Sequence, residues 1–410
     1  MASKLQKHRH LYTGLVVGGI IAAALIGVVW ARGFKPNFRT GTFQHTGLIV
    51  AQSRPVGAQV YLNGRLTDAT DTNISYLDPG SYRVRIQKDG FTTWEKSVNV
   101  QADLATEILA LLFPVAPQIS PLTTTGAFNP TLSPDSSKVV YGAPGERGGL
   151  FMLTFGSGPF SLGQGTKTIL KNQSGYDFSK AKFLWSPDSK QVIASFTDDQ
   201  NVNVGNILID VDRSDQEIRD ISGSLNSTLS AWQEDINTQS QTIAVRIPAN
   251  IKTATASAAL ASPSPSPTPD PITGLVPDSS LTTNPLSLNY FPTGFQPSPD
   301  GEKFLYKTNS PTGEGDYKVY NLKLKRESTM PNLSGLRNIA WFPDSEHLVI
   351  AQNNAISIIE TDGFNKMVVY SGKFEDGFVY SNPSGSRLML LTTLTQPEKT
   401  PPNLYAINLK

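Results

Sequence analysis

The chain has 410 residues, more than one hydrophobic core ordinarily supports, so two or more folded units are expected. Its 35 basic and 34 acidic residues nearly cancel, which speaks against a nucleic-acid binder, and its 33 glycines and 29 prolines suit a turn-rich, mainly β protein. There is no cysteine, which excludes disulfides, thiolate nucleophiles and Cys-ligated metals.

The first candidate element is Leu11–Trp30, LYTGLVVGGIIAAALIGVVW, 20 residues without a charge. At 1.5 Å per residue such a helix spans about 30 Å, the thickness of a hydrocarbon core. The expectation is a cytoplasmic tail over 1–10, a transmembrane helix over 11–33, and a single-pass protein of the cytoplasmic membrane with its bulk outside. Basic residues do not settle the orientation, since Lys4, Lys7 and Arg9 precede the segment and Arg32, Lys35 and Arg39 follow it. A cleaved signal peptide ending at Ala22–Ala24 is the alternative, although the apolar run continues through LIGVVW. Gly14 and Gly18 form a small-xxx-small pair that would let two such helices pack closely.

Residues 34–46, broken by Pro36 and Gly41, read as a short stalk. Beyond them, GAQVYLNG and YRVRIQKDG alternate, with Tyr82, Val84 and Ile86 on one side of a strand and Arg83, Arg85 and Gln87 on the other. Asn63-Gly64 and Asp89-Gly90 supply hairpin turns. The pattern predicts a compact antiparallel sandwich. In order, Pro55-Val56-Gly57-Ala58, Val60–Gly64, Leu77-Asp78-Pro79-Gly80, Tyr82, Val84, Lys88, Gly90-Phe91 and Trp94 resemble the PEGA domain over residues 47–113, with Val56 where that family has Glu. The resemblance implies an envelope location and transfers no active site. Tyr76 and Trp94 are either a platform for sugar stacking or, as aromatics in small β-domains usually are, core.

The rest of the chain carries a repeat: SPDSSKVVY at Ser133–Tyr141, SPDSKQVIASF at Ser186–Phe196 and SPDGEKFLYKT at Ser298–Thr308. Weaker copies are FPDSEHLVIA at Phe342–Ala351 and NPSGSRLMLL at Asn382–Leu391. Pro fixes φ at the second position of a type I turn, Asp suits the third, and the apolar run that follows is a strand. The anchoring positions are Asp135, Asp188, Asp300, Asp344 and Ser384, at intervals of 53, 112, 44 and 40 residues. The long interval predicts a degenerate sixth copy in STLSAWQEDINTQSQTIAVRI, around Trp232 and Asp235, followed by a disordered Pro/Ser/Ala-rich insertion at about 251–284. A spare strand near Gln118–Thr123 is expected to complete the last repeat beside LYAINL at 404–409 and so close the ring. The turns resemble those of the TolB-type, WD40-like propeller. The expected fold class is mainly β: an N-terminal transmembrane helix, a small PEGA-like β-sandwich, and a six-bladed TolB-like β-propeller over 117–410.

Nothing marks an enzyme. The four histidines are His8, His10, His45 and His347, and the last is expected at a strand surface. No Gly-x-Ser-x-Gly elbow, phosphate-cradling loop or zinc spacing occurs. The acidic run DVDRSDQE at 210–217 lacks an EF-hand's glycine and closing Glu, and reads as a hairpin turn. No catalytic, cofactor-binding or metal residue is therefore assigned, and no cofactor is expected. The resemblances imply a non-catalytic envelope protein whose propeller loops bind a protein partner or an envelope polysaccharide. A sensor or scaffold subunit of an envelope complex, and a wall-glycan or peptide hydrolase or lyase with dispersed carboxylates, remain as alternatives.

Overall fold

The computed structural model describes residues 2–31, 34–37, 42–155, 166–198, 202–214, 216–256, 287–308, 315–375, 377–394 and 400–410. The chain divides into two units, Met1–Val115 and Ala116–Lys410.

The first unit begins with helix α1, Ala2–Ala31, so the residues read as a separate tail are part of it. Among the described residues no helix is long and apolar enough to cross a membrane. The expected transmembrane helix, and with it the single-pass location in the cytoplasmic membrane, is corrected accordingly. Dimerisation through Gly14 and Gly18 loses its premise. The stretch read as a stalk holds a short antiparallel ladder, Phe34–Asn37 against Thr42–His45, and His45 pairs with Asp103 at 2.9 Å.

The sandwich follows. One sheet has the order Thr72–Leu77, Gly47–Arg54, Ala105–Leu111; the other has Arg65–Ala69, Gln59–Leu62, Gly80–Gln87, Trp94–Val100. Alternation decides which side chains go inside: Val84 and Ile86 are buried, and Tyr82 packs against their cluster. Asn63, Gly64 and Gly90 take the left-handed φ expected at the turns. The fully antiparallel expectation needs one correction, because Gly47–Arg54 and Ala105–Leu111 pair in parallel, Leu48 facing Ala105. Trp94 is core, whereas Tyr76 is exposed.

Among its described residues the second unit forms five four-stranded antiparallel sheets. The first runs through Phe128–Leu132, Lys138–Ala143, Gly149–Thr154 and Lys167–Lys171; the second through Lys182–Trp185, Gln191–Thr197, Asn203–Asp210 and Arg219–Asp220. The third holds Phe295–Pro297, Lys303–Lys307, Tyr317–Asn321 and Arg326–Thr329; the fourth Leu336–Trp341, His347–Gln352, Ala355–Glu360 and Met367–Ser371. The fifth combines Val379–Ser381, Arg387–Thr392 and Asn403–Asn408 with Ile119–Pro121. Its outer strand is the predicted one, with Ile119 opposite Ile407.

Six blades were expected, and this is corrected. The segment read as a degenerate repeat is helix α2, Leu225–Ala244, followed by the short helix α3, Ala249–Ala256. Its apolar residues Leu225, Leu229, Trp232 and Ile236 recur every three or four positions, the period of a helix face and not of a strand. That face packs on Leu184, Ile193 and Leu208 of the second sheet, and Ile243, Ile247 and Ile251 pack on Phe295, Phe304 and Tyr306 of the third. Mixed apolar clusters join the first sheet to the second, the third to the fourth, and the fifth back to the first. Asn338 Nδ2 of the fourth sheet donates to the Val379 carbonyl of the fifth at 3.2 Å. Contacts thus run in a closed cycle of five sheets and one helical segment. The predicted insertion begins inside α3, and its part from 257 onward lies outside the described residues.

Candidate functional site

The repeat's turns all lie at one end of the sheets, because each joins the first strand of an antiparallel sheet to the second. In the first copy the Ser136 N–H donates to the Ser133 carbonyl, and the Ser133 N–H donates to the Lys138 carbonyl, both at 2.8 Å. Ser133 Oγ donates to Asp135 Oδ1 at 2.6 Å and accepts the Lys138 N–H at 2.9 Å. The second and third copies repeat this, Ser186 with Asp188 and Ser298 with Asp300. The weaker copies reach the same end by other atoms. Asn382 Oδ1 accepts the Arg387 N–H at 2.9 Å, and Asp344 Oδ1 accepts the His347 N–H at 3.0 Å because Phe342 has no hydroxyl.

The carboxylates are therefore turn-formers. Burial pushes the Asp135 carboxyl up, but hydrogen bonds from Ser133 and Ser137, with the charge of Lys138, hold it below the usual carboxylate range. Asp300 follows the same balance, with Ser298, Glu302, Lys303 and Ser345 outweighing burial. At Asp344, burial is outweighed by the His347 imidazole and two backbone N–H groups. His347 corrects the surface expectation: it is buried, with Nδ1 at 2.7 Å from Asp344 Oδ2 and its ring edge-on to Phe342.

Two features of the turn face were not read from the sequence. The fourth turn residue has a left-handed φ in every copy: Ser136 58°, Ser189 60°, Gly301 68°, Ser345 61°, Gly385 63°. Where it is Ser189 or Ser345, the hydroxyl accepts the backbone N–H of Asp135 or Asp300 on the preceding turn, each at 3.1 Å. The tryptophan before the turn reaches back in the same direction. Trp185 Nε1 donates to the Thr131 carbonyl at 3.0 Å, and Trp341 Nε1 to the Gln296 carbonyl at 3.2 Å. The cue was present: serine is a strained choice at a left-handed position that glycine fills freely.

These turns surround a cavity of about 470 Å³, within the range of small-ligand sites. Prolines of four turns line it, Pro134, Pro299, Pro343 and Pro383, with Phe291, Ile339 and Trp341 completing an apolar wall. Its polar lining includes Asp135, Gln296, Asn338 and Tyr380. Burial pushes the Tyr380 phenol well above its ordinary value, so it stays protonated. A second hollow of about 180 Å³ shares Pro134, Phe291 and Pro297 and extends to Pro187 and to Ile236, Ser240 and Ile243 of the helical segment. Among the described residues no three His, Asp or Glu side chains are grouped to hold a metal. Within the acidic run, Val211 and Asp212 form a turn after the strand end at Asp210, and Gln216 Nε2 donates to the Asp210 carbonyl at 2.6 Å.

The family comparison matches residues 46–113 to the PEGA domain model. Residues 46–113 are a PEGA domain. No curated protein matches the chain. Solved structures similar to it include a putative TolB from Agrobacterium tumefaciens, 12% identical over 71% of this chain and 77% of that one, TM-score 0.24. TolB from Acinetobacter baumannii is 10% identical over 80% of this chain and 60% of that one, TM-score 0.23. Hydrazine synthase from Kuenenia stuttgartiensis is 12% identical over 86% and 89%, TM-score 0.21. Likeness at these scores carries no argument, so the ring rests on strand pairing and packing, and the PEGA domain on its own match.

Proposed function

We propose that the chain is a non-catalytic envelope protein, and that its ring binds a protein segment in the cavity at the turn end. The observation that carries this reading is the shape and lining of the cavity. It is concave, and rigid proline rings and aromatics build its wall between a smaller number of polar groups. Rigid apolar walls lose little entropy when a ligand docks. A PEGA domain in the same chain supports a binding or scaffold role at the envelope. The non-catalytic part is supported by the carboxylates: among the described residues Asp135 is the one that lines the cavity, and its Oδ1 is engaged by its own turn. A glycoside hydrolase needs a pair about 5–10 Å apart.

The test uses the full chain in its host, with a photoreactive residue at Pro383 on the cavity rim or at Asn354, in a turn at the other end of the sheets. Crosslinks to a discrete protein partner from 383 and not from 354 are expected. Crosslinks confined to 354 would overturn the reading. Adducts at 383 formed only with glycan would move it to the polysaccharide alternative.

A further inference from the structure

Resting on that reading, the cavity's chemistry narrows what it holds. Three oxygen acceptors stand out in its lining. Among the described residues Asp135 is the single carboxylate in the lining, and no Lys, Arg or His lines either hollow. Lys138, the nearest cation in sequence, is turned toward the second sheet, where Nζ donates to the Ser189 carbonyl at 3.2 Å and lies 3.5 Å from Asp212 Oδ1. Two further acceptors sit in the wall. The side-chain oxygens of Gln296 and Asn338 are buried without a hydrogen-bond partner among the described residues. The Asn338 amide is fixed that way round: Nδ2 donates to the Val379 carbonyl, so its oxygen faces away from that bond. A buried carbonyl oxygen without a donor is unfavourable, and an entering N–H that reached it after a small side-chain shift, directly or through one water, would relieve that.

We infer that the cavity selects a cationic, N–H-bearing group, a guanidinium or primary ammonium presented by the bound segment, placed beside Asp135 with Gln296 and Asn338 as further acceptors. Pro134 and Pro343 line the same cavity, so the stem of a Lys or Arg side chain would lie along them with its head at the acceptors. A carboxylate placed at these same three oxygens would be repelled. Asp135 stays ionised through the neutral range, since its turn hydrogen bonds hold its carboxyl low.

The test is a calorimetric titration of the full chain at low salt with three capped amino acids: N-acetyl-arginine amide, its neutral isostere N-acetyl-citrulline amide, and N-acetyl-glutamate amide. The arginine probe should bind about three- to fivefold more tightly than citrulline, the scale of a partly exposed ion pair, with the difference shrinking as salt rises. Glutamate should not bind. Asp135→Asn keeps a side-chain oxygen for the Ser133 and Ser137 hydrogen bonds, so the fold should persist by circular dichroism while the arginine preference disappears. Equal binding of arginine and citrulline, lost in both cases in Pro383→Trp, would keep the cavity as a site and overturn the cation selection. Binding of none of the three, or binding unaffected by Pro383→Trp, would overturn both.

Discussion

Substitution of Ser189 separates the two energies combined at the turn face. Ser189 is 2% exposed, has φ of 60°, and its Oγ accepts the Asp135 N–H at 3.1 Å. Ser189→Ala keeps the left-handed backbone and deletes the acceptor, leaving the Asp135 N–H without that partner, a loss of about 1–2 kcal/mol. Ser189→Gly loses the same hydrogen bond but relieves a left-handed strain of about 1–2 kcal/mol, part of which is returned as the larger entropy of an unfolded glycine. The glycine variant should therefore lie within about 1 kcal/mol of the parent, and the alanine variant about 1 kcal/mol below the glycine one. Urea unfolding followed by tryptophan fluorescence measures this, with Trp185 close by as reporter. An alanine variant as stable as the parent would show that the hydroxyl stitches nothing. A glycine variant less stable than the alanine one would show that the backbone there is not strained.

The tryptophans give a graded counterpart. Trp185→Phe removes a fully buried indole and its bond to Thr131 and should cost about 2–4 kcal/mol, while Trp341→Phe, half-buried with a longer bond, should cost about 1–2 kcal/mol in thermal melts. In helix α2, Trp232→Ala should cost about 3–5 kcal/mol, whereas Asp235→Ala, exposed on the helix, should stay within about 0.5 kcal/mol. A cost of 1 kcal/mol or more at Asp235 would indicate a turn in place of the helix. Asp135, Asp300 and Asp344 are all held below their ordinary values in the folded chain. Their stabilisation is complete above an unfolded value near 4 and is lost as pH falls through the lower folded values. Unfolding free energy measured from pH 6 to 2 should therefore drop below about pH 4, and Asp344→Asn should flatten that drop. A flat profile in the parent would contradict the hydrogen-bonded turns.

Local pattern carried far in this sequence, and its reach ended where contacts became long-range. Ser-Pro-Asp followed by Val139-Val140 or Val192-Ile193 marks a turn and a buried strand in a few residues, so five of the sheets were legible. The sixth repeat failed because Trp232 and Asp235 stood at plausible spacings, while the helical recurrence of Leu225, Leu229, Trp232 and Ile236 was the stronger signal. Parallel pairing of Gly47–Arg54 with Ala105–Leu111 has no local mark, because strand polarity is set by the path of the intervening chain. His347 was misplaced for a related reason. Its burial follows from the absence of a hydroxyl at Phe342, which frees Asp344 to hold both the backbone and the imidazole of residue 347. The cavity was out of reach altogether, since its wall is assembled from Pro134, Pro299, Pro343 and Pro383 on four separate turns.

Every functional statement depends on the second unit closing into a ring. In the closing ladder Pro121 faces Tyr405, and the Leu122 N–H donates to the Leu404 carbonyl at 2.8 Å, which makes 121 and 405 a non-hydrogen-bonded pair with close side chains. Because the natural chain has no cysteine, the variant Pro121→Cys with Tyr405→Cys contains a single possible disulfide. Mild oxidation of the folded protein should convert it nearly completely to an intramolecular crosslink, visible as a gel shift that Pro121→Cys with Asn354→Cys does not show. A folded 121/405 variant that keeps both thiols free would mean the ring is open, and the cavity would lose the wall that defines it.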